Sequence, residues 1–258
     1  MKGKRIMVAG ALGAIGGYVT KELYERGAEL LLCDLWTPEA AAERIREMGA
    51  SYSTTEYRRV DFTDEVAVSK LLDNLALENA VPEAIVGIVG GTPLQPFLQT
   101  DSAEFRQTFE LNFFTQVNIA RAVLPLWLKR SVPGHFVFTS SLVATIPWRD
   151  LASYRSAKRA LEAFSESMAL DFARYHIRSN CIAPGNIAAG TALTVYNDQE
   201  EYRKTVDATI PFGSLIDPRL LARTYGWLLS EDAKEINGQI IRVDRGQSLP
   251  VVGCLGTD

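Results

Sequence analysis

An apolar run at residues 4–9 leads straight into Gly10-Ala11-Leu12-Gly13-Ala14-Ile15-Gly16-Gly17, and no other stretch restricts the possible fold as sharply. The run reads as a buried strand, and residues 14–26, closed by Gly27, read as a helix. Glycine lets the turn between them take positive φ. It also lets backbone N–H groups approach an anionic pyrophosphate, which a helix N-terminus favours. A second strand at residues 29–34 ends in Asp34, eighteen residues after Gly16. Glycine spacing alone is weak, but strand, turn, helix, strand and terminal acid in this order specify a dinucleotide-binding unit. The plainer reading is a tight turn without a ligand, with Asp34 as a strand-end turn former.

Asp34 stands where an acid hydrogen-bonds a ribose 2′-hydroxyl, and the same charge repels a 2′-phosphate. Leu35 and Trp36 supply no compensating cation, so NAD is expected and NADP disfavoured. Beyond this unit, apolar strands at residues 57–60, 84–89, 135–140, 177–183 and 239–243 alternate with helices. These cover a stretch opened by Thr37-Pro38 and ended near Gly49, then 64–78, 102–130, 152–175 and 218–230. Mostly apolar strands separated by helices imply an α/β, doubly wound Rossmann fold. About seven parallel strands would carry helices on both faces, joined by right-handed crossovers. No linker or charge block divides the chain, so residues 1–258 read as one domain.

Composition narrows the partners. A net charge of −4 and a pI near 5.4, without a Lys/Arg cluster, leave no footprint for a nucleic acid. Cys33, Cys181 and Cys254 are odd in number and widely spaced, which fits buried or tail thiols in a reducing compartment. His135 and His176 have no ligand-spaced neighbours, so no metal site is expected. The amino-terminal MKGKR and apolar run imitate a signal peptide, but cleavage there would remove the first strand and its loop. A cytoplasmic protein without a membrane span is the expectation.

Ser141 precedes Tyr154 by thirteen residues, and Lys158 follows four later. Residues four apart lie on one helix face, so phenol and ammonium could converge with the serine hydroxyl. Each alone is more simply a strand-end serine or a solvated helix face. With the glycine turn and Asp34, however, the chain resembles the short-chain dehydrogenase/reductase family nearly end to end. Val60-Asp61-Phe62-Thr63-Asp64 resembles the segment whose aspartate touches adenine, and Leu111-Asn112 the asparagine that holds a water relay. The 134–141 stretch GHFVFTSS resembles the strand delivering the catalytic serine, and Asn180 to Gly185 the segment flanking the nicotinamide. Ile210-Pro211-Phe212-Gly213 and the 237–246 stretch resemble the carboxyl-terminal signature.

The resemblance implies Asn112, Ser141, Tyr154 and Lys158 as the catalytic set. It implies cofactor contacts at Gly10, Gly13, Ala14, Ile15, Gly16, Asp34, Leu35, Asp61, Phe62, Gly90, Tyr154, Lys158, Pro184, Gly185 and Ile187. Four departures stand out. Ala14 displaces the middle glycine. Gly87-Ile88-Val89-Gly90-Gly91 replaces the paired asparagine before Ala-Gly, removing a side-chain brace. Ala189 stands where a threonine is common, with Thr191 two residues on. Arg245 replaces a glycine.

An ordinary tyrosine pKa of about 10 must fall by roughly three units, about 4 kcal/mol, for Tyr154 to act as a base near neutrality. A cation about 4 Å away at an effective dielectric near 20 contributes about that much. Lys158 is therefore expected to lower Tyr154, with Ser141 stabilising the substrate oxygen. Residues 186–214, carrying Leu193, Val195, Tyr196, Tyr202 and Phe212, read as a substrate lid or as a packed helical insert. Ser141, Trp148, Tyr154, Tyr196 and Phe97 are candidate pocket walls. An aromatic, mostly uncharged wall suits a neutral, fairly apolar or cyclic secondary alcohol or ketone. The resemblance also implies a homotetramer or homodimer; Leu161, Phe164, Met168 and Phe172 fit an interface or the core. The competing readings are an NAD-retaining dehydratase or epimerase and a non-catalytic NAD-binding regulator or scaffold.

Overall fold

The computed structural model describes residues 1–48 and 55–249. The expected helix end near Gly49, Cys254 and the tail from Pro250 onward lie outside them. Strand β1 (Arg5–Ala9) feeds the glycine turn and helix α1 (Gly16–Glu25), followed by β2 (Glu29–Asp34) and α2 (Pro38–Glu47). The Thr37 hydroxyl accepts from Ala40 N and Pro38 fixes the first helical φ, which is why α2 starts where the sequence indicates. Next come β3 (Thr55–Arg59), α3 (Glu65–Leu77) capped by Asp64, and β4 (Ala84–Gly87).

The expected helix over 102–130 is interrupted. Helix α4 (Ser102–Phe109) opens on an Asp101/Glu104 capping box, a π-helical turn occupies Glu110–Phe114, and α5 (Thr115–Arg130) continues. Strand β5 (His135–Thr139), short helix α6 (Leu142–Thr145), long helix α7 (Ala152–Asp171) and β6 (Arg178–Pro184) follow. The 186–214 segment folds as two helices, α8 (Gly190–Asp198) and α9 (Glu200–Thr209), ahead of α10 (Pro218–Leu228) and β7 (Ile240–Val243).

All seven strands are parallel, in the order β3-β2-β1-β4-β5-β6-β7. The order reverses between β1 and β4, and such a switch point opens a crevice at the carboxyl ends of the strands. Side-chain alternation divides the core. Met7, Ala9, Leu31 and Phe138 face Leu72 of α3, Trp127 of α5 and Leu161 of α7, while Ile6, Val8 and Leu32 face Leu23 of α1 and Tyr225 of α10. Each fully buried Leu or Phe side chain contributes about 1.5–3 kcal/mol. The α7 stripe belongs to this core: Leu161 and Met168 are buried and Phe164 and Phe172 pack against them. Among the described residues no helix is long and apolar enough to cross a membrane.

Candidate active site

The ends of β1, β2, β4, β5 and β6 border one cavity of about 520 Å³. It runs from Asp34 and Asp61 at one end to Tyr154 and Tyr202 at the other. Gly10 turns the chain at φ 81°, and the N–H groups of Gly10 and Ala11 donate to Cys33 O at 2.9 and 3.3 Å. A Cβ on Gly16 would collide with Gly10 O, so only glycine lets α1 begin this close to the turn. A Cβ on Gly13 would have only Gly10 O for company, 3.6 Å away, and Gly13 otherwise borders the open cavity. A cradle of this kind, with an acid at its far end, fits a dinucleotide.

Asp34 does more than end a strand. Its carboxylate accepts Leu12 N at 2.9 Å and Leu35 N at 2.8 Å, holding the glycine turn to β2 and leaving lone pairs toward the cavity. Asp61 accepts the N–H and hydroxyl of Thr63 at 2.9 and 2.7 Å. Every residue expected around the cofactor lines the cavity, and Thr191 joins Ala189 on its wall.

Asn112, Ser141, Tyr154 and Lys158 meet at the other end. Lys158, 3% exposed, donates to Thr139 O at 2.8 Å, and its Nζ lies 5.6 Å from the centre of the Tyr154 ring. Burial lowers the lysine from 10.5 to about 8. Tyr154 departs from expectation. Desolvation pushes its phenol above the ordinary value, and the opposing effects are hydrogen bonds from Thr92 and Ser141 rather than the charge of Lys158. One ammonium N–H goes to the β5 carbonyl, and the nitrogen faces the Tyr154 ring without a hydrogen bond to the phenol oxygen. Thr92 was missed in the sequence, where only its place after Gly90-Gly91 marks it.

Helix side chains fill the space that the β4 glycines leave. A Cβ on Gly87 would collide with Gln116 Oε1, and one on Gly90 would lie 2.6 Å from Asn112 Oδ1 and 3.3 Å from Lys158 Nζ. Asn112 sits in the π turn, fully buried. Its Nδ2 donates to Thr108 O and Gly91 O, both at 3.0 Å, and its Oδ1 accepts Gly91 N at 3.1 Å. The side-chain brace that the strand lacks is thus supplied by the helix. Behind Ser141, the Ser140 hydroxyl donates to Glu162 at 2.7 Å, and Arg159 pairs with that 1% exposed carboxylate, also at 2.7 Å.

The substrate end is apolar. Leu142, Val143 and Leu151 pack with Trp148 and Tyr154, and Tyr202 meets Trp148 edge-on with centroids 6.2 Å apart. Tyr202 donates to Asn186 Oδ1 at 3.0 Å, and Asn186 Nδ2 donates to Gln247 at 3.2 Å. Tyr196, expected here, instead donates to Asp207 at 2.7 Å and does not line the cavity, because α8 directs it toward α9. Phe97 also stays outside, 64% exposed in a short 3₁₀ turn.

The family model described as enoyl-(acyl carrier protein) reductase matches residues 10–248. The cis-4-hydroxycyclohexanecarboxylate dehydrogenase of Sinomonas cyclohexanicum is 30% identical over 93% of this chain and 94% of that protein. A short-chain type dehydrogenase/reductase from Mycobacterium ulcerans superimposes with a TM-score of 0.88 at 24% identity, covering 96% of this chain and 91% of that one. A 4-hydroxyisoleucine dehydrogenase complexed with NADH does so at 0.86 and 21% identity, covering 95% and 98%. With the matched family model spanning most of its length and its sheet ending on this cavity, the chain belongs to the short-chain dehydrogenase/reductase family of oxidoreductases.

Proposed function

We propose that the chain interconverts a neutral, fairly apolar or cyclic secondary alcohol and its ketone, with NAD(H) as the hydride carrier. The carrying observation is the meeting of the Ser141 and Tyr154 hydroxyls beside Lys158 at one end of a cavity whose other end is the glycine turn and Asp34. A nicotinamide bound there would supply the hydride-accepting and hydride-donating carbon. Tyr154 takes the alcohol proton in one direction and returns it to the ketone oxygen in the other. Ser141 donates a hydrogen bond to that oxygen as its charge develops. Lys158 anchors the end of β5 beside them. Asp34 favours a free ribose 2′-hydroxyl.

A phenol raised by burial is protonated near neutrality, so ketone reduction is favoured there and alcohol oxidation gains with rising pH. Lys158 supplies the only cation on the described cavity wall, and one of its N–H groups holds Thr139 O at the end of β5. Nothing at the substrate end pairs with a carboxylate, which supports a neutral substrate. The ring in the name of the Sinomonas relative supports a cyclic one, while the carboxylate in that name has no matching cation at this substrate end. Assembly into a homodimer or homotetramer rests on the family resemblance, and light scattering would test it.

The deciding experiment follows nicotinamide absorbance with NAD across neutral cyclic alcohols and ketones. Tyr154→Phe should reduce turnover by at least about a hundredfold while dinucleotide still binds. Undiminished turnover would remove Tyr154 from the reaction.

A further inference from the structure

We propose that Thr92 is a further catalytic residue, the hydroxyl that donates to the Tyr154 oxygen once that oxygen has given its proton to the substrate. The inference rests on the reading of Tyr154 as the acid and base of the reaction. Thr92, Ser141 and Tyr154 line the same end of the cavity, and both smaller hydroxyls are bonded to the phenol.

The chain holds Thr92 there from both sides. Immediately before it, Gly91 is clasped by Asn112, whose Nδ2 donates to Gly91 O at 3.0 Å and whose Oδ1 accepts Gly91 N at 3.1 Å. Immediately after it, Pro93 confines Thr92 to extended backbone, because the proline ring crowds the helical conformation of the preceding residue. Gln95 N then donates to Asp150 O at 2.8 Å, tying the loop to the residue two before α7. Tyr154 sits in the first turn of that helix, so hydroxyl and phenol are fixed to a common base. Asn112 is thereby a positioning residue for Thr92.

Counting protons shows why a third hydroxyl is needed. A hydroxyl has one proton to donate. With a ketone in the site, Ser141 directs its proton to the substrate oxygen, and Tyr154 transfers its own to that oxygen as hydride reaches the carbonyl carbon. The phenolate left behind needs a donor that neither supplies. Lys158 Nζ lies 5.6 Å from the ring centre and holds Thr139 O, without a hydrogen bond to the phenol oxygen. Of the other titratable groups around the phenol, Tyr202 on α9 donates to Asn186 Oδ1 at 3.0 Å, and Tyr225 on α10 is bonded to the Thr139 hydroxyl at 2.9 Å. Thr92 is left, and its hydroxyl is already on the phenol. In the oxidising direction the same bond favours the phenolate that takes the alcohol proton, and the phenol exchanges protons with water between turnovers.

The test reads the ionisation of Tyr154 directly, as the phenolate absorbance of the intact protein minus that of its Tyr154→Phe counterpart across pH, with neither substrate nor cofactor added. A hydrogen bond to a charged oxygen is worth about ten- to a hundredfold, so Thr92→Val should raise the midpoint by about one to two pH units. Thr92→Ser keeps the hydroxyl and should return the midpoint to within about 0.5 unit of wild type. With NAD and cyclohexanol as the probe, Thr92→Val should lower kcat below the midpoint by about ten- to a hundredfold and leave KM within about threefold of wild type. The rise of kcat with pH should move upward by the same one to two units or so, and Thr92→Ser should bring it back. An unmoved midpoint in Thr92→Val, or a serine variant that behaves as the valine one, overturns the proposal. A shifted midpoint alongside undiminished turnover in Tyr154→Phe would leave the bond standing and remove Tyr154 from the reaction, which overturns the reading beneath the proposal and the role of Thr92 with it.

Discussion

The glycine-rich turns after β1 and β4 lie side by side at the switch point, yet they use the missing side chain in opposite ways. After β1, Gly13 leaves space that stays open to the cavity. At the end of β4 and just beyond it, the space is taken by protein: Gln116 fills the place of a Gly87 side chain, and Asn112 and Lys158 crowd Gly90. One turn is hollow for a ligand, while the other is a socket for the helix behind it. Glycine in a sequence marks a place where something comes close without saying what.

If that contrast is right, disturbances at the filled turn should reach Lys158 and those at the open turn should not. The largest effect concerns the lysine itself. Its pKa falls from 10.5 in the ordinary state to about 8 in the fold. Below about 8 it is protonated in both states, and folding bears the full cost, about 3 kcal/mol. Between about 8 and 10.5 the unfolded chain holds the extra proton, so the lysine's own contribution climbs with pH and then levels off. Buried Cys33 and Cys181, whose thiols are pushed up by desolvation, work the other way above about 9, so the climb is read as the difference between wild type and Lys158→Met in denaturation curves across that window.

Gly90→Ala comes next. Its methyl would press on Asn112 Oδ1 and Lys158 Nζ, and a displacement of such groups by about 1 Å lowers turnover by about a hundredfold. A kcat within threefold of wild type would mean the turn is not a socket. Gly87→Ala should cost about 2 kcal/mol in urea unfolding through overpacking against Gln116. Adding Gln116→Ala should return at least about 1 kcal/mol of that, because the two residues share one space. The smallest effect belongs to the open turn. Gly13→Ala should leave unfolding within about 0.5 kcal/mol of wild type and weaken dinucleotide binding about tenfold.

The same contrast explains how far the sequence could be read. Parallel strands follow from apolar runs of the right length separated by amphipathic helices, which are local signals, whereas the order in the sheet and the charged edge strand β3 come from the structure. The glycine turn and Asp34 were legible together because they lie within thirty residues of one another. What was missed depends on residues brought together from afar. Gln116 answers a gap at Gly87, and Thr92 reaches Tyr154 only when the loop after β4 meets the first turn of α7. Two tyrosines six residues apart could not be told apart until the break between α8 and α9 put Tyr202 on Trp148 and Tyr196 on Asp207. The direction of the Tyr154 shift was misjudged for a related reason. Spacing places a lysine near a tyrosine, but it does not tell which oxygen the ammonium will hold.

Helix α7 grips the end of β5 at two successive residues, Lys158 on the Thr139 carbonyl and Glu162 on the Ser140 hydroxyl, one helical turn apart. The alignment of helix against strand is thereby set at the contact itself and not by the chain that joins them. Residues 146–150, between α6 and α7, can consequently vary in length with that alignment held, whereas Leu142, Val143 and Leu151 pack on Tyr154 and belong to the site. That gives the molecule a segment in which insertions and deletions alter what the pocket admits while leaving the reacting groups in register.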